Sequence, residues 1–376
     1  MKGIDSVETY KQHFRLDEES AQKPTSFEYE LEINNEFFSY GFNLVLATRV
    51  IEEEWLYCLS NKKPEKIFER NRKKITLGKR LQNGSVKNRF NIYIDDMKNQ
   101  TNKLFLSEIA GKDLELDEAK AINDVFHWFK RQLLIIYPHT TYSGISSLCE
   151  NNELSTLFRK YLNEFDTGII NIESIEEDFE KSLKNFPDEI IKEIESTLHE
   201  HEANKAKVSI ATNHGELLTI YKDESGELKV QKIGLLHSNE FNEVFELKDE
   251  SDGTRRLFDL IPLIGNFSQD KTIIIDEFDR SLHPKLTKNF FELFYKLNTS
   301  KAQLIITTHE ATLLDLDLVR RDEIWFVEKN KNGSSKVFSL NQFQVRYDSK
   351  IEKAYLLGRY GAIPVFKTFN EISVDC

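Results

Sequence analysis

The chain has few cysteines, no long apolar run and no linker. Its three cysteines among 376 residues, Cys58, Cys149 and Cys376, lie far apart and fit neither a disulfide framework nor a zinc pattern. No apolar run approaches the roughly 18 to 20 residues of a membrane span, and the polar start MKGIDSVETY does not indicate a signal peptide. Repeats and Gly/Ser-rich or Pro-rich linkers are also absent. These absences predict a cytoplasmic protein without a membrane segment.

The composition is that of an ordinary globular protein, with 39% hydrophobic and 30% charged residues. The length predicts two or three domains. The net charge of −12 is uneven, because the stretch from Lys62 to Arg89 has a local charge of +9 and leaves −21 for the rest of the chain. This stretch is a candidate contact for a nucleic-acid backbone. The alternative is a solvated basic hairpin and helix.

The pattern of apolar residues divides the chain into three segments. Residues 1–100 are predicted to be β-rich, since apolar and polar residues alternate in TSFEYELEIN and a turn leads into FFSYGFNLVLA. Residues 101–203 have helical spacing, as in LDEAKAINDVFHWFKRQLLIIY, and are predicted to form a helical insertion. In residues 204–376 strands alternate with helices, which indicates a parallel α/β sheet.

Two acidic residues follow an apolar strand in the last segment. Ile273 to Ile275 is a β-branched run, and Asp276 and Glu277 come directly after it, where open α/β sheets bind their ligands. A strand followed by Asp-Glu is the Walker B pattern. In it the aspartate holds Mg²⁺ with oxygen ligands, and the glutamate orients and deprotonates the water that attacks the γ-phosphate of ATP. Any strand can end in two acids, so the pair alone is a weak signal.

Two flanking stretches suit the same chemistry. Upstream, Ser251 and Gly253 precede a predicted helix, and a small hydroxyl, a glycine and free N–H groups together favour anion binding. Downstream, the strand of LIITTHE delivers His309, which can donate a hydrogen bond to a phosphate oxygen. Taken singly, the first stretch is also explained as a helix N-cap and the second as a strand-end histidine.

The three motifs occur in the order ESDGTRR, TIIIDEFDRSLHP and LIITTHE within residues 250–310. This order resembles the ABC-type ATPase heads, and most closely the RecF/SMC-like bacterial AAA-domain ATPases found in phage-defence and overcoming-lysogeny-type systems. The stretches FRLDEESAQKPTSFEYELEI, RRDEIWFVEKN and IEKAYLLGRYGAIP also resemble that group. The resemblance implies an α/β ABC-ATPase-like head with an N-terminal antiparallel β region, a helical insertion and a C-terminal mostly parallel sheet.

The resemblance also implies a composite site for ATP and Mg²⁺, formed by two copies of the chain. Asp276 would be the acid associated with Mg²⁺, Glu277 the catalytic base and His309 the switch histidine. A signature motif would contact the γ-phosphate of the nucleotide bound on the opposite copy, and a D-loop would lie at the dimer interface. The signature motif would consist of Ser251, Gly253 and Thr254. The D-loop would consist of Ser281, Leu282 and His283.

The phosphate-cradling loop GxxxxGK[ST] of that group is absent from the sequence. The nearest string, LGKRL at residues 77–81, lacks the upstream glycine, the Ser/Thr and a preceding strand. Relatives carry the loop before the stretch that resembles FRLDEES, so we expect this chain to begin just after it. Because the loop supplies most phosphate contacts, we expect that a loop-bearing segment or subunit completes the site. The sheet would also lack its phosphate-loop strand.

Other interpretations stay open or are disfavoured. A catalytically silent interaction protein, which needs a loop-bearing partner, is the alternative to an ATPase coupled to an unknown effector. A nuclease of the overcoming-lysogeny type needs a metal-binding acidic domain after the ATPase, and only 67 residues follow His309. The acidic stretch Asp315 to Asp317 is predicted to be a loop–helix junction. The cluster from His199 to Glu202 is predicted to be a solvated helix end, since it lacks the i, i+4 histidine pair of a zinc helix.

Overall fold

The computed structural model forms two compact units, Met1–Leu133 with Arg320–Cys376, and Leu134–Val319. This division differs from the three predicted segments, because residues 320–376 belong with the N-terminal β region and the predicted insertion is divided near Leu133. The residues that the structure describes are 12–60, 63–112, 114, 116–140, 142, 148, 151–184, 186–200, 207–211, 217–223, 225–238, 240–241, 243–344 and 350–364.

Strands and helices both occur in each unit, and no helix among the described residues is long and apolar enough to span a membrane. The strands are β1 (Thr25–Ile33), β2 (Glu36–Val45), β3 (Val50–Cys58), β4 (Glu65–Asn71), β5 (Lys74–Leu77), β6 (Leu133–Ile136), β7 (Asn171–Asp178), β8 (Lys207–Ala211), β9 (Leu217–Lys222), β10 (Leu228–Leu236), β11 (Val244–Glu246), β12 (Thr272–Ile275), β13 (Gln303–Ile306), β14 (Trp325–Lys329) and β15 (Ser335–Ser339). The α-helices are α1 (Gly84–Met97), α2 (Phe105–Ala110), α3 (Lys120–His127), α4 (Asn152–Glu164), α5 (Phe179–Ser182), α6 (Asp188–Glu200), α7 (Asp252–Ile264), α8 (Pro284–Leu297) and α9 (Ile351–Leu356).

The first unit contains the predicted N-terminal antiparallel β region. Strands β1 to β5 form one sheet in sequence order, and each neighbouring pair is antiparallel. The alternation in β1 places Leu31 and Ile33 in the core, where they join Phe38, Phe68 and residues of α1 to α3. Cys58 at the end of β3 is a buried free thiol, whereas Cys149 and Cys376 lie outside the described residues.

A buried carboxylate links this sheet to α2. Glu54 in β3 accepts hydrogen bonds from the backbone N–H groups of Phe105 at 2.6 Å and Leu106 at 2.9 Å. The hydroxyl of Tyr40 donates to it at 3.2 Å, and the guanidinium of Arg70 lies 4.0 Å away. Burial nevertheless raises the pKa of Glu54 to about 7, because the charged form is desolvated more strongly than these groups stabilise it.

The second unit contains two sheets. Strand β10 pairs antiparallel with β7, β9 and β11, and β8 extends this sheet next to β9. The other sheet has the order β13-β12-β6, and β12 pairs with β13 in parallel. The core beside it is rich in aromatic side chains from α7, α8 and the chain after β12, including Phe258, Phe278 and Phe290. The structure therefore confirms the mixed α/β class.

Some predicted elements are wrong in type or pairing. The helix predicted over LDEAKAINDVFHWFKRQLLIIY ends after a π-helical turn, Trp128–Gln132, and LLII forms β6 beside β12. The predicted insertion also contains β7, which pairs with β10. Strands β8 to β11 are antiparallel, and β14 pairs antiparallel with β15 in a separate two-stranded sheet. The strands β6 and β7 pair with strands distant in sequence, and local periodicity does not reveal such pairing. The pairs of β8 to β11 and of β14 with β15 join consecutive strands, and the alternation of strands and helices did not predict their antiparallel direction.

We predict that Glu54 makes the free energy of unfolding depend on pH. Since its pKa rises from 4.5 to about 7 on folding, the folded state binds the proton more tightly, and stability should fall as the pH rises from about 4.5 to 7. The contribution should be at most about 3 kcal/mol. Urea denaturation across this pH range should show a flatter profile for Glu54→Gln than for the unmodified chain. Glu53→Gln, at the neighbouring exposed position, is the control, and parallel profiles for Glu54→Gln would contradict the prediction.

Candidate functional site

The parallel register of β12 and β13 brings two loops to one edge of the sheet. Ile275 is paired with Ile306 at the ends of the two strands, so Asp276 and Thr307 leave the sheet side by side. The Thr307 hydroxyl donates to Asp276 Oδ1 at 2.5 Å and accepts from the Glu277 N–H at 2.8 Å. One side chain from β13's loop therefore fixes both the first carboxylate and the backbone of the second.

Glu277 stands at a turn that is strained for a residue with a side chain. Its φ is +47°, in the left-handed region that costs a non-glycine residue about 1 to 2 kcal/mol. The buried ring of Phe278 follows, and the Phe278 N–H donates to the Thr307 carbonyl at 3.0 Å. The buried ring and the bonds to Thr307 hold the turn, which leaves the Glu277 side chain exposed to solvent.

His309 is held at the same edge through its backbone. Its N–H donates to the Asp279 carboxylate at 3.2 Å and 3.4 Å, so a second side chain ties the loop after β12 to the loop after β13. The His309 side chain is exposed. The structure therefore places all three residues of the predicted Walker B and switch motifs, Asp276, Glu277 and His309, on two loops joined by Thr307 and Asp279.

The predicted signature motif forms the start of α7 and meets the predicted D-loop. Ser251 is the N-cap, since its Oγ accepts from the Thr254 N–H at 3.1 Å and lies 2.9 Å from Thr254 Oγ1. A β-carbon on Gly253 would lie only 2.7 Å from the carbonyl oxygen of Ser281. Ser281 itself has a φ of +61°. The two turns approach so closely that only glycine fits, and Ser251, Gly253, Thr254 and Ser281 thus form one surface.

The carboxylate pair suits Mg²⁺ only in company with other ligands. No group of three His, Cys, Asp or Glu side chains that could hold a metal occurs among the described residues. Mg²⁺ is commonly bound by one or two carboxylates together with water and substrate phosphates, and Asp276, whose Oδ1 is oriented by Thr307, fits that role. Residues 201 and 202 of the predicted solvated helix end lie outside the described residues.

A protein-family comparison matches residues 2–315 to the family described as "AAA domain, putative AbiEii toxin, Type IV TA system". The chain belongs to this AAA family. A comparison with curated proteins gave no match. Among solved structures, the crystal structure of the SmcHead bound to the C-winged helix domain of ScpA is 12% identical, over 84% of this chain and 74% of that one. The TM-score is 0.35.

Sequence reasoning missed the residues that orient the site. Thr307 and Asp279 act through hydrogen bonds across two loops, and only the register of β12 and β13 brings them to their partners. The string TTHE contains Thr307, but the sequence does not say which of its two threonines faces Asp276. Family membership confirms the resemblance to AAA-domain ATPases, whereas the individual roles of the site residues stay predictions.

The basic stretch lies in the first unit and is partly neutralised. Arg70 is buried and donates to three backbone carbonyls. Three further members pair with glutamates of β3 and β4: Lys66 with Glu69, Arg72 with Glu52, and Arg80 with Glu65. Lys62 lies outside the described residues. Glu65 and Glu69 are already counted in the value of +9. The burial of Arg70 and the pairing of Arg72 with Glu52, which precedes the stretch, make the exposed charge smaller than +9, and contact with nucleic acid stays a prediction.

We predict that Thr307→Val loosens the turn at Glu277 without disturbing the core. The substitution keeps the shape but removes both hydrogen bonds of the hydroxyl, which should cost about 1 kcal/mol. The backbone amide hydrogen of Glu277 should then exchange faster with solvent than in the unmodified chain. Thr308→Val is a matched control, because the Thr308 hydroxyl accepts from Glu310 instead. Equal Glu277 exchange rates in Thr307→Val and the unmodified chain would show that the hydroxyl does not hold the turn.

Proposed function

We propose that this chain is the catalytic part of an ABC-type ATPase that hydrolyses ATP between two copies of its head. Membership of the AAA family supports a nucleotide-binding, ATPase-type function. The observation that carries the finer proposal is the pair Asp276 and Glu277 at the end of β12, held together by the hydroxyl of Thr307. A chance pair of acids at a strand end does not require such a link from the neighbouring strand.

The side chains would divide the chemistry. Asp276 would hold Mg²⁺, which when bound offsets the charge of the phosphates. Glu277, exposed on its strained turn, would orient the attacking water and accept its proton. His309 would donate a hydrogen bond to the γ-phosphate, and the surface of Ser251, Gly253 and Thr254 would face the nucleotide of the other copy, with free N–H groups at the start of α7.

The proposal requires a phosphate loop that the sequence does not contain. We propose that a further segment or a separate subunit supplies it, and that the assembled heads act in the cytoplasm on an effector in phage defence. The missing loop equally favours a second candidate, a catalytically silent interaction protein that uses the surface around Ser281. Sequencing the DNA upstream of Met1 would show where the loop is encoded. A GxxxxGK[ST] string in frame with this chain would indicate a further segment of the same protein, and one in a neighbouring gene would indicate a separate subunit.

We predict that the purified chain binds Mg-ATP weakly or not at all, because most phosphate contacts belong to the missing loop. Isothermal titration calorimetry on the unmodified chain checks this. A micromolar affinity that Asp276→Ala abolishes would show that the described residues bind nucleotide without a further segment.

We predict that Glu277→Gln blocks hydrolysis by roughly 100-fold or more but keeps ATP bound, once the loop-bearing segment is present. The amide can still hold a water but cannot take its proton. Unhydrolysed ATP should then hold two heads together, and sedimentation with Mg-ATP should show a dimer. Asp276→Asn should instead weaken Mg²⁺ binding.

Glu310→Gln is the matched control, because Glu310 lies in the loop after β13 and accepts the N–H of Thr312. It should hydrolyse ATP at the parent rate. If Glu277→Gln also hydrolyses at the parent rate, or stays monomeric with ATP demonstrably bound, the composite site is wrong.

A further inference from the structure

The second unit contains a buried guanidinium group without a hydrogen-bond partner. Arg256 on α7 is 5% exposed, and its Nε, Nη1 and Nη2 all lack a partner among the described residues. The carboxylate of Asp259 lies 3.9 Å from Nη1, beyond hydrogen-bond distance. Its other oxygen accepts from the Tyr142 N–H at 2.9 Å. A buried polar group left unsatisfied costs about 1 to 3 kcal/mol, and a charged one costs more.

Arg256 lines a cavity of about 230 Å³, here called the Arg256 pocket. Asp252, Arg255, Arg256 and Asp259 have the i, i+3, i+4 and i+7 spacing of one face of α7. The opposite wall consists of the turn around His139 and of residues after β12. The full lining is Pro138, His139, Thr140, Asp252, Arg255, Arg256, Asp259, Arg280 and Ser281. Since a water molecule takes up about 30 Å³ in the liquid, the pocket has room for a small oxyanion.

The charges in the Arg256 pocket favour an anion. Burial lowers the pKa of Arg256. The carboxylate of Asp259 opposes this lowering, and the positive charge of Arg280 adds to it. Asp252 is already paired with Arg255. Burial raises the pKa of Asp259 to about 6, so this acid still carries most of its negative charge at neutral pH and offsets one of the positive charges. Three guanidinium groups and two carboxylates line the cavity, so its lining has an excess of positive charge.

We propose that the Arg256 pocket binds a phosphoryl oxyanion, held by the guanidinium groups of Arg256 and Arg280. Planar guanidinium groups bind phosphate oxygens in a bidentate manner, and a dianion satisfies two of them at once. Arg280 donates one Nη1 bond to the Pro138 carbonyl at 2.7 Å, which fixes its position at the rim. The oxyanion is free inorganic phosphate or the terminal phosphate of a nucleotide. The inference does not require hydrolysis at Glu277.

The test uses the full chain with inorganic phosphate as the probe, in buffers of equal ionic strength. Calorimetry should show phosphate binding that weakens at least tenfold in Arg256→Met, and phosphate should raise the melting temperature of the unmodified chain but not that of Arg256→Met. Without phosphate, Arg256→Met should melt at a lower temperature, because it leaves the partly buried carboxylate of Asp259 without the guanidinium group 3.9 Å away. Arg280→Met, at an exposed position, should also weaken binding and covers the case in which Arg256→Met does not fold.

Two further variants and one further ligand separate the outcomes. Arg159→Met, at an exposed position on α4, controls for loss of a positive charge. Glu277→Gln should bind phosphate at least as tightly as the unmodified chain, whatever the fate of the proposed ATPase activity. An Arg256-dependent signal with ATP but not with phosphate identifies the nucleotide as the source. If neither ligand binds, or if both arginine variants bind phosphate as tightly as the unmodified chain, the proposal is overturned.

Discussion

The candidate site depends on the parallel pairing of two short strands. Because β12 and β13 are in register at Ile275 and Ile306, the loops that follow them start at the same height, and the Thr307 hydroxyl can reach the residue opposite. A slip of one residue would turn every side chain of the strand to the other face and would separate Thr307 from Asp276. Buried Ile273 and Ile275 oppose such a slip, since it would expose them. Packing in the core thus sets the position of polar groups at the edge.

The surface where this pairing places the acids contains two strained backbone positions. Glu277 and Ser281 both have positive φ values, and the carbonyl of Ser281 leaves no space for a β-carbon at Gly253. These conformations cost free energy, and the buried rings beneath the turn, including Phe278 and Phe290, offset that cost. A turn held in this way presents Glu277 and Ser281 in fixed positions, which is what a site shared with a second copy would need.

The sequence predicts local features of this site well and long-range ones poorly. The β-branched run before Asp276 and the helix predicted after Ser251 and Gly253 match β12 and α7, because each signal lies within one element. The strand β6 was hidden in a stretch with helical spacing, since its stability comes from β12, more than 130 residues away. Thr307 was missed for the same reason: its partners Asp276 and Glu277 precede it by some thirty residues, and the register that joins them is a tertiary property.

Two buried arginines show why a guanidinium group without hydrogen bonds points to a ligand rather than to stability. Arg70 in the first unit donates to the carbonyls of Arg72, Gln100 and Lys103 and lies 4.0 Å from Glu54, so its burial is compensated within the chain. Arg256 in the second unit is buried to a similar degree without any such bond among the described residues. A guanidinium group cannot lose its charge at physiological pH. Among the described residues Arg256 has the Asp259 carboxylate at 3.9 Å but no hydrogen bond, and an anion in the pocket beside it would supply the missing acceptors.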